Sequence, residues 1–306
     1  MHRNIETVLN EAITLAQQNN HGKVADYIPE LASTPENILT VAVRLLDGTS
    51  YVAGDNHTLQ VTLQSVAKLV VLIGLLEEQG AAEVFSWLRV EPSGDDFNSI
   101  ARLDQFGPLP SNPMLNAGAI TLCSYIRGNA EQQYAWLDSW MQRLFGEKLY
   151  IDPKVLASEQ RTGNRNRSLA YLLKDNNVIN GDVEAILDTY FCLCSFRANP
   201  QQASYLPMLL ARNGLDLNGK RVVSHQTVKQ VLAIMATCGL YNESGTHLVR
   251  TGMPAKSGVS GFILAVAMRQ AGIAVFSPRV NDTGTSVRGE LILEYLSTQM
   301  AWHFAD

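Results

Sequence analysis

The sequence predicts an α+β fold, with an antiparallel sheet built from both chain ends, flanked by helices and interrupted by a long all-helical insertion. Three observations point to it. Strand-like runs are confined to residues 38–45 and 51–53 near one end and to 261–268 and 273–277 near the other. Helical apolar period fills almost everything between them. No tandem repeat or low-complexity linker separates the parts, so the terminal strands are expected to pair with one another and not in alternating βα units.

The elements follow in order. Residues 5–19 carry Ile5, Val8, Leu9, Ala12, Leu15 and Ala16 on one helical face. Residues 38–45 and 51–53, joined through Asp47-Gly48, form a hairpin. Helices are expected over 65–78 (closing at Gly80), 116–126 after Pro113, 134–145, 168–173, 183–196, 204–213 and 226–236. Gly252-Met253-Pro254-Ala255 reads as a turn entering a strand. Residues 261–268 and 273–277 make a second hairpin with Ala271-Gly272 between them, and 286–300 closes the chain as a helix. The division this implies is a sheet-containing lobe from 1–60 plus 250–306 and a helical lobe from 61–249, with the active residues at their boundary.

The 306 residues suffice for one large domain or two lobes with a sizeable core. Hydrophobic residues at 46% and charged residues at 17% describe a globular chain. A net charge of −5 and the lack of any dense Lys/Arg block exclude the basic footprint of a nucleic-acid binder. No apolar stretch approaches a membrane span, since Gln64, Ser65, Lys68 and Gly74 interrupt the best candidate, residues 61–76. The start of the sequence lacks the apolar run of a signal peptide. Cys123, Cys192, Cys194 and Cys238 sit in apolar helical context and are read as small core hydrophobes, because Cys192-Leu193-Cys194 lacks the second ligand pair of a zinc site. A cytoplasmic protein is expected.

Two motifs carry chemistry. Ser65-Val66-Ala67-Lys68 sets a hydroxyl and an amine three residues apart, neighbours on a helix. Lys256-Ser257-Gly258 is the Lys-Ser/Thr-Gly strand that faces such a helix in serine β-lactamases and penicillin-binding proteins. With 20 serines and 8 lysines in the chain, neither weighs much alone. Ser65 could be an N-cap, Lys68 a snorkelling cation, and Lys256-Ser257-Gly258 a glycine-bearing edge strand. The pair and its order give the weight. Ser65 should open a helix, with its N–H in the positive field of the N-terminus. Among Val66, Leu69, Val70 and Leu72, Lys68 would be desolvated and usable as a base. No G-x-S-x-G elbow, H-E-x-x-H or P-loop is present. His2, His21, His57, His225, His247 and His303 are scattered, mostly in polar context, and read as surface residues.

Seven segments, in order from about residue 22 to 300, resemble the serine-dependent glutaminases. They are Gly22-Lys23-Val24-Ala25-Asp26-Tyr27-Ile28-Pro29, Pro92-Ser93-Gly94 with Phe97-Asn98-Ser99, Asn112-Pro113-Met114-Leu115-Asn116-Ala117-Gly118-Ala119-Ile120, Ser158-Glu159 with Arg165-Asn166, Asp188-Thr189-Tyr190-Phe191, Cys238-Gly239-Leu240-Tyr241 and Pro254-Ala255-Lys256-Ser257-Gly258-Val259. The resemblance implies a β-lactamase-like fold, Ser65 as nucleophile and Lys68 as its base partner. It implies that Asn116, Glu159, Asn166, Tyr190, Tyr241 and Val259 hold the substrate, Val259 through its backbone, with Tyr27 near the same pocket. Tyr190 and Tyr241 are both candidate proton relays. A homo-oligomer, dimer or tetramer, is expected.

Glutamine presents an ammonium, a carboxylate and a neutral amide. Glu159 can pair with the first, while Asn116, Asn166 and a tyrosine hydroxyl can hold the second. Glu159 and Asn166 are seven apart, so one helix would set them on one face. Alone, Glu159 reads as a solvated charge and Tyr190 as a core tyrosine. The expected reaction is hydrolysis of L-glutamine to L-glutamate and ammonia through a glutamyl-serine, with no metal or organic cofactor. A β-lactamase or penicillin-binding-type enzyme and a non-catalytic amino-acid sensor share some of these signals. Two departures stand out: Ser260-Gly261-Phe262 replaces a run of glycines, placing bulk beside the pocket strand, and Gly284-Thr285-Ser286 replaces Gly-Asn-Ser.

Overall fold

The computed structural model describes residues 3–94, 99 and 107–306. Its centre is a five-stranded antiparallel sheet in the order Ser50–Gly54, Thr40–Leu45, Ala271–Phe276, Phe262–Ala267, Ala255–Ser257. The two ends of the chain meet where Thr40 to Leu45 pair with Phe276 to Ala271. Alternation along the strands divides the core. Val41, Val43, Ile263, Ala265, Ile273 and Val275 face the terminal helices Ile5–Gln17 and Val287–Met300. Leu264, Val266, Ala274 and Phe276 face the helical part of the chain. Both faces are therefore covered, as an apolar sheet requires.

The helices of the interior stand close to where periodicity sets them, and their ends have local causes. Asn129 and Asn199 form capping boxes with Gln132 and Gln202. Ser224 and Asp182 cap the helices His225–Cys238 and Val183–Cys194. The helix Lys68–Gln79 is buried from Lys68 to Leu76, so it runs through the middle of the helical core.

Four expectations are corrected. The insertion is not wholly helical: Val61–Thr62, Phe196–Ala198 and Tyr150–Ile151 form a small antiparallel sheet, too short to show period 2. The second hairpin turns at 268–270, where Arg269 has φ +60°, while Ala271 and Gly272 already belong to the strand. Glu159 and Asn166 lie on two helices, Pro153–Thr162 and Asn164–Asp175. Gly163 marks the break; a Cβ there would lie 2.4 Å from Phe191 Cζ and 2.7 Å from Glu159 O. His247 is buried, with Nδ1 2.9 Å from the Glu290 carboxylate and Nε2 2.9 Å from Met253 O, so one of the six histidines is a structural tie between helices. His2 and the Phe97-Asn98 pair lie outside the described residues.

Candidate active site

Ser65 is delivered by a short strand and a strained turn. Val61–Thr62 pairs with Phe196–Ala198, and Leu63 N–H donates to Phe196 O at 2.7 Å. Gln64 then takes φ +48°, a left-handed conformation unusual for a residue with a side chain. Such a position costs about 1–3 kcal/mol and persists where its surroundings fix it. Ser65 lies in the 3₁₀ turn Gln64–Ala67, and the α-helix begins only at Lys68. This differs from the α-helical first turn expected, in a direction that helps: with three residues per turn, side chains i and i+3 eclipse.

Lys68 is fully buried and its ammonium donates to Met114 O at 2.9 Å and Asn116 Oδ1 at 2.7 Å. Burial lowers its pKa from 10.5 to about 8. Asn116 passes the connection on, its Nδ2 donating to Asn166 Oδ1 at 2.9 Å. The lysine thereby fixes which way the Asn116 amide points.

The strand Ala255–Ser257 closes the other side. Gly258 ends it against the Ser65 turn: a Cβ there would lie 2.8 Å from Leu63 O and 3.3 Å from Val66 Cγ2. Only a residue without a side chain lets strand and turn approach so closely. Lys256 is fully buried and donates to Gly239 O at 2.9 Å and Ser257 O at 2.6 Å. Burial and the nearby Lys68 hold its pKa well below the usual lysine range. Between the two lysines stands the Tyr241 ring, 4.4 Å from Lys256 Nζ and 5.9 Å from Lys68 Nζ. Its hydroxyl is bonded to Ser65, and burial raises its pKa to about 12. Tyr241 also has a positive φ, +53°, so strained backbone flanks Ser65 from two elements.

These groups open on a cavity of about 370 Å³. Ser65, Asn116, Glu159 and Asn166 line it, as do Tyr27, Tyr190, Tyr241 and Val259; Lys68 lies behind the wall. Every residue named from the sequence is thus brought to one place. Glu159 is buried, and burial raises its carboxyl pKa, partly offset by the bond from Tyr27. Tyr27 keeps nearly half its surface exposed while its hydroxyl turns inward, donating 2.8 Å to Glu159 Oε1. The Tyr190 ring is buried, and burial pushes its hydroxyl pKa well above the usual tyrosine range.

Gln64, Arg165, Cys194, Thr283 and Gly284 also line the cavity and were not identified as site residues. Gln64 and Arg165 each adjoin an identified residue; Gly284 stood out only as part of a departure from the family pattern, and Thr283 carries no local signal, since only the fold of the loop after the last strand brings it near. Phe262 does not crowd the pocket: it is buried in the core, its ring centroid 5.2 Å from that of Phe276. Thr285 is buried, its N–H donating to Asn281 Oδ1 at 3.0 Å, which fits a structural role. Among the described residues, no group of three His, Cys, Asp or Glu could hold a metal, and no helix is long and apolar enough to cross a membrane. All four cysteines are free.

The family model described as Glutaminase matches residues 22–304. A glutaminase from Legionella pneumophila (strain Lens) is 57% identical over 299 residues, 97% of this chain and 96% of that protein. Glutaminase 2 of Clostridium perfringens (strain 13 / Type A) is 38% identical, with 93% and 94% of the two chains covered. Among solved structures, the probable glutaminase from Bacillus subtilis complexed with 6-diazo-5-oxo-L-norleucine superposes with a TM-score of 0.89 at 31% identity, covering 99% of this chain and 97% of that one. The mixed helices and antiparallel sheet match bacterial glutaminases, whose fold is β-lactamase-like.

Proposed function

The chain belongs to the glutaminase family, and from that premise we propose that it hydrolyses the side-chain amide of L-glutamine through Ser65 and Lys68. The observation that carries this reading is a fully buried lysine with its pKa lowered to about 8, three residues beyond a serine that opens on a cavity. A base poised near neutrality is what activation of a serine hydroxyl needs.

Ser65 Oγ gives its proton to Lys68 and attacks the amide carbon. The N–H groups of Ser65 and Val259 hold the oxyanion, donors worth about 3–4 kcal/mol each in acyl transfer. Tyr241, bonded to Ser65, protonates the leaving ammonia and recovers that proton from Lys68; it is favoured over Tyr190 because its hydroxyl is bonded to the nucleophile. Water then cleaves the glutamyl-serine ester. Glu159 receives the α-ammonium; its raised pKa reflects a buried carboxylate that a cation would stabilise. Asn116, Asn166 and Tyr27 complete the hold on the amino-acid end. Four free cysteines fit a reducing compartment, the cytoplasm.

The test compares ammonia release from glutamine with hydrolysis of a chromogenic β-lactam. Release from glutamine alone is expected. Turnover of the β-lactam would favour a penicillin-binding-type activity, and glutamine binding without turnover would favour a sensor.

A further inference from the structure

Outside the lining of the cavity, Glu243 joins two of its walls. It ends the 3₁₀ turn Tyr241–Glu243, whose first residue is held at φ +53°. Its carboxylate accepts from Asn281 Nδ2 at 2.8 Å and Thr283 Oγ1 at 2.7 Å. Asn281 organises the loop that follows the last strand: its Oδ1 accepts the N–H groups of Thr283 at 3.1 Å and Thr285 at 3.0 Å. Thr283 and Gly284 of that loop line the cavity, and a Cβ on Gly284 would lie 3.8 Å from Val259 Cγ2. One carboxylate thus ties the turn that aims Tyr241 at Ser65 to the loop that backs Val259. Glu243 itself lines a separate groove.

We propose that Glu243 is a positioning residue for the glutaminase reaction, anchoring the Tyr241 turn on the 281–284 loop so that Tyr241 stays in register with Ser65. The proposal rests on Tyr241 acting as the proton relay. A left-handed turn stores strain, and strained backbone keeps its geometry only where neighbours over-determine it. The turn is stitched internally by Ser244 Oγ, which accepts from Leu240 N and donates to Tyr241 O, both at 2.9 Å. Those bonds fix its shape; Glu243 fixes where that shape sits relative to the loop. The ties need an acceptor and do not need a charge. A glutamine can accept from Asn281 Nδ2 and donate to Thr283 Oγ1, while the threonine proton turns to Asn281 Oδ1, already 2.7 Å away.

Steady-state glutamine kinetics of Glu243→Ala, Glu243→Gln, Tyr241→Phe and the Tyr241→Phe/Glu243→Ala double variant test this. Glu243→Ala is expected to lower kcat by roughly 10- to 100-fold, the scale of an ångström-sized misplacement, with a smaller rise in KM. Glu243→Gln should restore kcat to within about threefold of wild type, because the hydrogen-bond ring can be rebuilt. In the Tyr241→Phe background, Glu243→Ala should cost less than about threefold more, since both act on one group. Thr283→Val, which deletes one of the two ties without changing shape, serves if Glu243→Ala does not fold; its loss of kcat should likewise vanish beside Tyr241→Phe. Equal losses in both Tyr241 backgrounds, with Tyr241→Phe alone severely impaired, would overturn the positioning role and leave the relay intact. Near-normal turnover by Tyr241→Phe would overturn both.

Discussion

Replacing Lys68 by methionine should abolish turnover and remove a pH dependence from the protein's stability. The substitution keeps an unbranched apolar stem in a site with no solvent exposure and removes only the amine. Burial lowers the lysine pKa from 10.5 to about 8, so holding the protonated form folded costs about 3 kcal/mol relative to the unfolded chain. Against this, Met114 O and Asn116 Oδ1 lose their donor, at about 1–3 kcal/mol for each buried acceptor left unpaired. The net change below pH 8 is therefore expected between a gain of about 1 and a loss of about 3 kcal/mol. The sign of the pH dependence follows from proton counts. Between pH 8 and 10.5 the folded wild type has lost the Lys68 proton while the unfolded chain keeps it, so wild-type stability rises with pH across this window. The stability of the variant relative to wild type should fall accordingly across that window. Thermal melts of both proteins, taken as differences at each pH, read this while cancelling the groups they share apart from Lys256, whose pKa Lys68 lowers. A difference that stays flat from pH 7 to 10 would refute the assignment of Lys68 as a buried, pKa-lowered amine.

Two further predictions concern the walls. Gly258→Ala should force strand and Ser65 turn apart, because its Cβ would stand 2.8 Å from Leu63 O; a stability loss of about 1–3 kcal/mol and a fall in kcat of roughly 10- to 100-fold are expected, and wild-type kcat would mean the close approach is not needed. Glu159→Gln should lower kcat/KM for glutamine by about 1.5–3 kcal/mol. A glutamine whose α-amine is acylated should lose little more in that variant, and strictly additive losses would separate Glu159 from the ammonium.

The sheet was legible because its strands are apolar, bounded by turns and confined to the chain ends, and the terminal helices because their faces are amphipathic. The strand pairs in the helical part were not: Val61–Thr62 and Tyr150–Ile151 are two residues long, and only tertiary pairing defines them. The turn at 268–270 was misplaced because Ala271-Gly272 has the composition of a loop, yet Arg269 carries the positive φ. Local spacing put Ser65 and Lys68 at the start of one helix, though it could not distinguish the 3₁₀ turn that carries Ser65 from an α-helix. Glu159 in isolation looks like a surface charge; its burial beside Tyr27 depends on segments more than a hundred residues apart. Glu243 had no signal at all, because its partners Asn281 and Thr283 arrive only once the last strand is in place.

The central claim is that Ser65, activated by Lys68, carries the glutamyl group between amide cleavage and hydrolysis. Acid quenching of the enzyme during turnover of glutamine, followed by mass spectrometry of its peptides, reads this directly. A mass gain of one glutamyl group on the peptide containing Ser65, absent in Ser65→Ala, is the predicted result. A glutamyl adduct on another residue, or turnover retained by Ser65→Ala, would contradict it.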